Sequence, residues 1–226
     1  MDITYIYHSS FLVETGLCYY LFDYYRGNLP ALDTAKPVLV FSSHSHSDHY
    51  NSAVFDMLKE LGMKHIYGVL SDDIDLKTIP ADISFISAAP SKEYELPLGQ
   101  NLTTFRSTDE GVAFLIEEGQ ELIYHAGDLN DWVWVGEDSS YNEKMTRDYR
   151  RQIDSLAAKV KGRKLSCAFV VLDPRQENDY DRGMLYFLNR IDSSMVYPMH
   201  YWEKPQIIKQ FMVAHPQYAR KIVITE

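Results

Sequence analysis

A short histidine-rich segment directly after an apolar run is the feature that most restricts how this chain folds. The run Val38–Phe41 consists of β-formers throughout, which is typical of a strand covered on both faces. Directly after it comes His44-x-His46-x-Asp48-His49, so three of the chain's eight histidines fall within six residues. Because α/β folds place their sites at the carboxyl ends of strands, the pattern predicts an α/β fold with its chemistry at this edge.

The same segment predicts two cation sites. Residues two apart in an extended loop point the same way, so His44 and His46 would hold one cation together. Asp48 and His49 would project elsewhere and hold a second cation. Imidazole and carboxylate donors suit Zn, Fe or Mn, whereas a polar loop with chance histidines is the alternative interpretation.

Further motifs resemble those of the metallo-β-lactamase superfamily, whose hallmark is HxHxDH. Residues Tyr124–Asp128 are similar to the family's strand followed by Gly-Asp, and Tyr197–His200 to the strand before its last metal histidine. The opening His8–Thr15 resembles the branch of L-ascorbate-6-phosphate lactonase-like hydrolases. The resemblance covers nearly the whole chain and implies a four-layer αβ/βα sandwich, a pair of divalent metal ions and hydrolase activity.

The resemblance also implies a ligand set, with one departure. The family's third metal histidine is missing, because residues 105–110 contain no His; Asp109 or a water would complete the first site. The second site is then expected to hold its ion at least as tightly as the first, and Mn or Fe to be somewhat favoured over Zn. The implied ligands are His44, His46, Asp128 and Asp109 for the first site, and Asp48, His49, Asp128 and His200 for the second.

Three residues are candidate catalytic groups. Asp48 would orient the nucleophile, as its counterpart is thought to in the family, and His8 would lie beside the metals. Arg175 follows a buried-type strand and would clamp a carboxylate or phosphate; a surface ion pair is the alternative. Asp173 would then orient Arg175 or cap a helix, and Asp23 would form a turn or lie near the pocket.

The rest of the pattern predicts one domain over residues 1–226. An apolar stripe from Tyr141 to Val160 indicates a long helix, and Ser52 is the predicted cap of a shorter one. Strands are predicted at 3–7, 11–14, 19–23, 38–41, 65–70, 83–87, 102–106, 112–117, 121–125, 167–172, 195–197 and 220–224, and further helices at 52–61, 182–191 and 205–213.

The amino-acid composition restricts the classes of molecule that this chain is expected to bind. The formal net charge of −10 argues against nucleic acid and against an anionic membrane surface. Cys18 and Cys167 lie in apolar runs, which favours buried thiols in a reducing compartment. With no basic or apolar leader at the N-terminus, we expect a cytoplasmic protein with a small-molecule substrate and possible homo-oligomers.

The leading hypothesis is a metal-dependent hydrolase that uses a metal-bound hydroxide on a small ester, lactone or phosphoester. The main alternative is a non-catalytic ligand-binding or sensing protein whose metal site has degenerated at the third histidine. A flavodiiron-type oxidoreductase fits poorly, because that pattern carries Glu where His46 stands. A nuclease is disfavoured by the charge, and an exported β-lactamase by the missing leader.

Overall fold

The computed structural model describes residues 1–225. The chain divides into two compact units, Met1–Ala89 and Pro90–Glu226. Each unit contains one six-stranded mixed sheet and its own helices, so the predicted α/β class is confirmed. Within the described residues, no helix combines the length and apolar character needed to cross a membrane.

The strands of the first unit lie side by side in chain order. The first, second and third strands pair antiparallel, and the third to sixth strands pair parallel. Parallel neighbours need a crossover, which the helix α1 (Ala53–Glu60) and a 3₁₀ turn at Leu76–Thr78 provide for two of the connections. The strands are β1 (Asp2–Tyr7), β2 (Ser10–Glu14), β3 (Tyr19–Phe22), β4 (Val38–Ser42), β5 (Ile66–Ser71) and β6 (Ser84–Ala88).

Strand β4 is the centre of this unit. All five of its residues are buried, as its unbroken apolar run predicts. Because β3, β4 and β5 run parallel, their carboxyl ends lie at the same edge, where Asp23 and the histidine-rich segment follow β3 and β4. Helix α1 belongs to the hydrophobic core of the same unit through Val54, Phe55 and Leu58.

The predicted cap of helix α1 is wrong. The Ser52 side chain makes no capping hydrogen bond, and its backbone is already helical. Asn51 Oδ1 accepts a hydrogen bond from the Ala53 backbone N–H at 3.0 Å instead. Asn and Ser are comparable caps, so the choice depended on where the chain turns after the histidine-rich segment.

The second unit repeats the plan of antiparallel strands followed by parallel ones. Strands β7 to β10 pair antiparallel, and β10, β11 and β12 pair parallel. The strands are β7 (Glu93–Glu95), β8 (Asn101–Arg106), β9 (Val112–Glu118), β10 (Glu121–His125), β11 (Leu165–Val171) and β12 (Ser193–Met199), and the helices are α2 (Ser139–Lys159), α3 (Arg182–Arg190) and α4 (Gln206–Ala214), with a 3₁₀ segment at Pro174–Asp179.

One predicted strand at the edge of this sheet is wrong, and two edge strands differ in extent from the prediction. Residues 220–224 form a single bridge between Ile222 and Val196 rather than a strand. The edge strand β12 is longer than predicted, and it includes Pro198, which an edge strand tolerates because it needs fewer backbone donors. The three-residue edge strand β7 was not predicted, because its sequence Glu-Tyr-Glu has little apolar character.

Candidate metal centre

The histidine-rich segment after β4 brings its side chains together by turning. His44 Nε2 lies 3.0 Å from His46 Nδ1, so the predicted pair is adjacent. The predicted extended loop is wrong, because the backbone N–H groups of His49 and Tyr50 both donate to the His46 carbonyl. The turn brings the ring centroid of His49 to 4.2 Å from that of His44. The ligand atoms of Asp48 and His49 nevertheless fall in a different candidate group from those of His44 and His46, as predicted.

His8 and Asp48 complete the donors of the first unit. His8 Nε2 lies 3.6 Å from Asp48 Oδ2, and one ligand atom from each of His8, Asp48 and His49 lies within 4.8 Å of the others. Burial by itself would raise the pKa of Asp48. The hydrogen bond from His8 and the nearby His49 outweigh burial and hold that pKa well below its ordinary value. We call His8, His44, His46, Asp48 and His49 the first donor set.

Asp23 orients this set from behind, which resolves the alternatives left open for it. Its side chain is fully buried, and its Oδ2 lies 2.7 Å from His49 Nδ1. The same oxygen accepts from the Ser43 hydroxyl, whose Oγ lies 3.0 Å from His44 Nδ1. A carboxylate on Nδ1 fixes the ring and makes Nε2 the coordinating atom, which is the usual support of a metal-binding histidine.

In the second unit, Asp109, Asp128 and His200 form the second donor set. Asp128 and His200 follow the parallel strands β10 and β12, and both are buried. One carboxylate oxygen of Asp109 lies within 4.8 Å of one of Asp128, and His200 Nε2 lies 3.4 Å from Asp128 Oδ2. The structure thus places Asp109 beside Asp128, although residues 105–110 contain no histidine.

Asp173 supports His200 as Asp23 supports His49. Its Oδ2 lies 3.0 Å from His200 Nδ1, and its side chain is fully buried. Burial by itself would lower the pKa of His200, but the carboxylates of Asp128 and Asp173 raise it to about 10. Two buried carboxylates around one ring favour a positive charge at this position, either a proton or a metal ion.

Arg175 forms the ion pair that was the alternative interpretation, but with a buried partner. Its Nε lies 3.0 and 2.8 Å from the two oxygens of Asp173, and its Nη2 lies 2.5 Å from Oδ2. Its guanidinium carbon is 4.6 Å from the ring centroid of Trp202 and 5.7 Å from that of Trp134. The side chain is nevertheless 45% exposed, so a fixed guanidinium faces solvent.

Asp173 also fills both roles considered for it. Besides pairing with Arg175, its Oδ1 accepts from the Arg175 backbone N–H at 2.8 Å and caps the 3₁₀ segment. Trp132 packs against His200, with ring centroids 5.6 Å apart, and stacks on Trp134. The aromatic residues around the second donor set are therefore Trp132, Trp134 and Trp202.

Three other aromatic or histidine side chains next to the motifs make structural contacts. The Tyr50 hydroxyl lies 2.9 Å from Thr78 Oγ1, and the Tyr201 hydroxyl donates to the Thr225 carbonyl. His125 is fully buried, and its Nδ1 accepts from the Gly127 backbone N–H. His125 is a packed residue, as its position on β10 indicates.

A polar network that the sequence analysis missed positions the loop after Asp128. Asn130 Nδ2 donates to Gln176 Oε1, and the Thr108 hydroxyl donates to the Asn130 carbonyl at 2.6 Å. A Cβ at Gly183 would collide with Asn130 Oδ1, which explains the glycine at the start of α3. Thr108 is next to Asp109, so these hydrogen bonds join the backbone beside Asp109 to the loop that follows Asp128.

Backbone strain concentrates at both donor sets. His8, Asp23 and His200 have φ values of 56°, 43° and 65°. Such left-handed conformations are uncommon outside glycine and persist where the surroundings enforce them, often at functional sites. Zn, Fe and Mn bind imidazole nitrogens and carboxylate oxygens. Both donor sets supply these atoms, and buried carboxylates support two of the histidines, so the residues present fit the implied metals.

Comparison with solved structures gives similar folds at low identity. Igni18, a novel metallo hydrolase from the hyperthermophilic archaeon Ignicoccus hospitalis KIN4/I, has a TM-score of 0.66 at 18% identity over 99% of this chain and 94% of that chain. Isothiocyanate hydrolase from Delia radicum gut bacteria gives 0.61 at 15% identity over 100% and 97%. Zn²⁺-bound PqqB from Methylobacterium extorquens gives 0.57 at 15% identity over 96% and 83%. At these identities the likeness shows the fold alone.

Family membership rests on the match of the sequence to a protein-family model. Comparison with curated proteins gave no match. The model of the β-lactamase superfamily domain matches residues 2–200, which include the candidate ligands of both donor sets. The narrower lactonase-like branch stays a prediction. The chain belongs to the β-lactamase superfamily and has the fold of its metal-dependent members.

Proposed function

We propose that this protein is a metal-dependent hydrolase acting on a small ester, lactone or phosphoester. The observation that carries the proposal is the repeated support of a candidate ligand histidine by a buried carboxylate. Asp23 holds Nδ1 of His49, and Asp173 holds Nδ1 of His200. Buried carboxylates are costly, so two such pairs beside further carboxylates are better explained by a cation site than by packing.

The proposed metal ligands follow the family pattern and draw on both donor sets. His44, His46 and Asp128 would hold one ion, with Asp109 in place of the missing histidine. Asp48, His49, Asp128 and His200 would hold the other. Zn, Mn or Fe suits this mixture of imidazole and carboxylate, and two ions are proposed because seven donors exceed the four to six that one ion takes.

The chain's own residues have separable roles in this proposal. A bound divalent cation lowers the pKa of a coordinated water towards neutrality and polarises a carbonyl or phosphoryl oxygen. Asp48, held ionised by His8, would accept a hydrogen bond from the attacking water and orient it. The outward face of Arg175 would bind a carboxylate or phosphate of the substrate, since Asp173 and two indole rings fix its direction.

The comparisons support hydrolysis as the reaction class. Two of the similar folds are named as a metallo hydrolase and an isothiocyanate hydrolase, and a third is described with bound zinc. A small-molecule substrate, a cytoplasmic location and the absence of nucleic-acid and membrane partners belong to the same proposal, as do possible homo-oligomers. The net charge of −10 argues against nucleic-acid and anionic membrane partners, and two buried free cysteines favour a reducing compartment.

The second candidate function is ligand binding or sensing without catalysis. The observation that favours it is the absence of a histidine at residues 105–110, where the family pattern has a ligand. A carboxylate at Asp109 gives a harder and more anionic first site than imidazole would. Such a site could retain metal and lose turnover.

Elemental analysis of protein purified without added metal tests the proposal, together with assays on simple esters, lactones and phosphodiesters. We expect about two ions per chain and hydrolysis of at least one substrate class. Asp128→Ala should lose metal and activity, and His65→Ala, which removes an exposed histidine, should keep both.

Three outcomes separate the candidates. No ion after addition of Zn, Mn or Fe would overturn the metal proposal. Stoichiometric metal without any hydrolysis would favour the sensing protein. The metal content of His44→Ala and His49→Ala shows which of the two sites is occupied. A full first site with an empty second one would contradict the expected order of affinity.

A further inference from the structure

Helices α2 and α3 of the second unit border an open groove of about 1060 Å³. None of the residues that line it belongs to either donor set. Val133, Ala158 and the ring of Tyr186 supply its apolar surface, and Asn142, Thr146 and Ser155 add polar side chains. The volume is of the size that holds a small organic molecule.

Four arginines line this groove, in a chain with only 22 Lys and Arg against 32 Asp and Glu. Arg147, Arg150 and Arg151 are three or four residues apart or adjacent on α2, so they share one side of the helix, and Arg182 faces them from α3. Random placement on an acidic protein would not concentrate cations in one concave surface. We call these four residues the arginine cluster.

The counter-ions of the cluster are unevenly distributed. Arg151 pairs with Asp148 at 3.1 Å, and Arg182 lies 3.4 Å from Asp131 and from Asp179. Two acidic residues also line the groove, Glu143 and Asp154. Asp154 is already engaged by Arg190 at 2.7 Å and by the Tyr186 hydroxyl. Over residues 1–225, Arg147 and Arg150 form no salt bridge with a carboxylate.

Two like charges three residues apart on a helix repel each other unless an anion lies between them. Arg150 also lies over the ring of Tyr186, with its guanidinium carbon 5.1 Å from the centroid. This stacking holds the planar fork of Arg150 at the groove while its N–H groups stay available. Arginine forks bind phosphate oxygens in bidentate fashion, which a lysine cluster would not do.

We propose that this groove is a second binding site, for a small organic molecule that carries phosphate groups. Arg147 and Arg150 bind the phosphate oxygens, and Tyr186 contacts the organic part. The site is independent of the proposed hydrolase function, since no candidate metal ligand lines the groove.

Isothermal titration calorimetry with ADP, adenosine and inorganic phosphate tests the site on the full chain as purified. We expect ADP to bind with a Kd of about 0.1–1 mM and adenosine to bind at least about tenfold more weakly. The double variant R147Q/R150Q should weaken ADP binding about tenfold or more. The matched control K159Q/K161Q removes two exposed cations, one at the end of the same helix and one just beyond it, and should change the Kd by less than about twofold.

Several results would overturn the proposal. One is ADP binding that R147Q/R150Q leaves unchanged, which would place the ligand at another site. Another is wild-type protein that binds no ADP, or that binds phosphatidylserine vesicles instead. A salt-sensitive dimer that R147Q/R150Q dissociates would assign the groove to a second copy of this acidic chain. R147K/R150K tests the fork geometry if the double Gln variant fails to fold, because it keeps both charges and should still weaken ADP binding.

Discussion

At the scale of single residues, the proposed metal site depends on the residues behind the candidate ligands as much as on the ligands themselves. Asp23 is fully buried and accepts from the Ser43 backbone N–H, the Ser43 hydroxyl and His49 Nδ1. These bonds account for its left-handed backbone, with φ at 43°. The residue therefore determines which nitrogen of His49 would face a cation at the proposed site.

Asp23→Asn tests this role with almost no change in size. Asparagine keeps one acceptor oxygen but loses the carboxylate that receives the His49 Nδ1–H. We expect metal affinity to fall by about 10–100-fold, measured by competition with a chromophoric chelator. Asp33→Asn, an exposed aspartate of the same unit, should leave the affinity unchanged. Equal affinities for both variants would show that Asp23 serves packing alone.

At the scale of elements, the ends of parallel strands gather the polar side chains. In the first unit these are the ends of β3 and β4, and in the second the ends of β10, β11 and β12. Each of these strands is largely buried, so its rigid ladder fixes where the following residue begins. Helices support the sheets through one apolar side; in α4 this side consists of Ile207, Ile208 and Phe211.

Helix α4 offers a matched pair of substitutions for testing this packing. Phe211 is fully buried, whereas Val213 on the same helix is 83% exposed. Phe211→Ala should lower the free energy of unfolding by about 3–5 kcal/mol, because it leaves a cavity that neighbours only partly fill. Val213→Ala should change it by less than about 0.5 kcal/mol. Urea unfolding measures both, and similar losses would mean that α4 packs differently.

At the scale of the whole molecule, the two units repeat one plan, and the superfamily model spans both. A metal that binds the folded chain stabilises it by mass action. Chelation should therefore lower the thermal stability of the wild type if the proposed centre is occupied. That residues 1–226 form one domain stays a prediction. A single cooperative unfolding transition in the same experiment would support it.

Removing metal with EDTA tests this coupling. If free metal stands at about 100 times its Kd, its removal costs about 2.7 kcal/mol, which for a chain of this length lowers Tm by about 5–10 °C. Calorimetry before and after chelation measures the shift. Asp128→Ala should show almost none, because it should hold little metal to lose. An equal shift in both proteins would indicate that EDTA acts elsewhere.

The sequence alone sufficed for the α/β class, the superfamily resemblance and most strands, because buried strands and the HxHxDH spacing are local patterns. It also led to Asp109 as the replacement candidate, which the structure places beside Asp128. The missed features include the edge strand β7 and the cap at Asn51, where weak local signals compete.

Only the tertiary structure decided what stands behind the ligands. Asp23 lies 26 residues before His49, and Asp173 lies 27 before His200, so no spacing within a motif connects them. The turn at His46 likewise replaced the predicted extended loop, because backbone hydrogen bonds to its carbonyl outweigh the local preference. Residue types indicated which metals the proposed donors suit. The orientation of each ring depended on strand register and burial, which become fixed only when distant segments pack together.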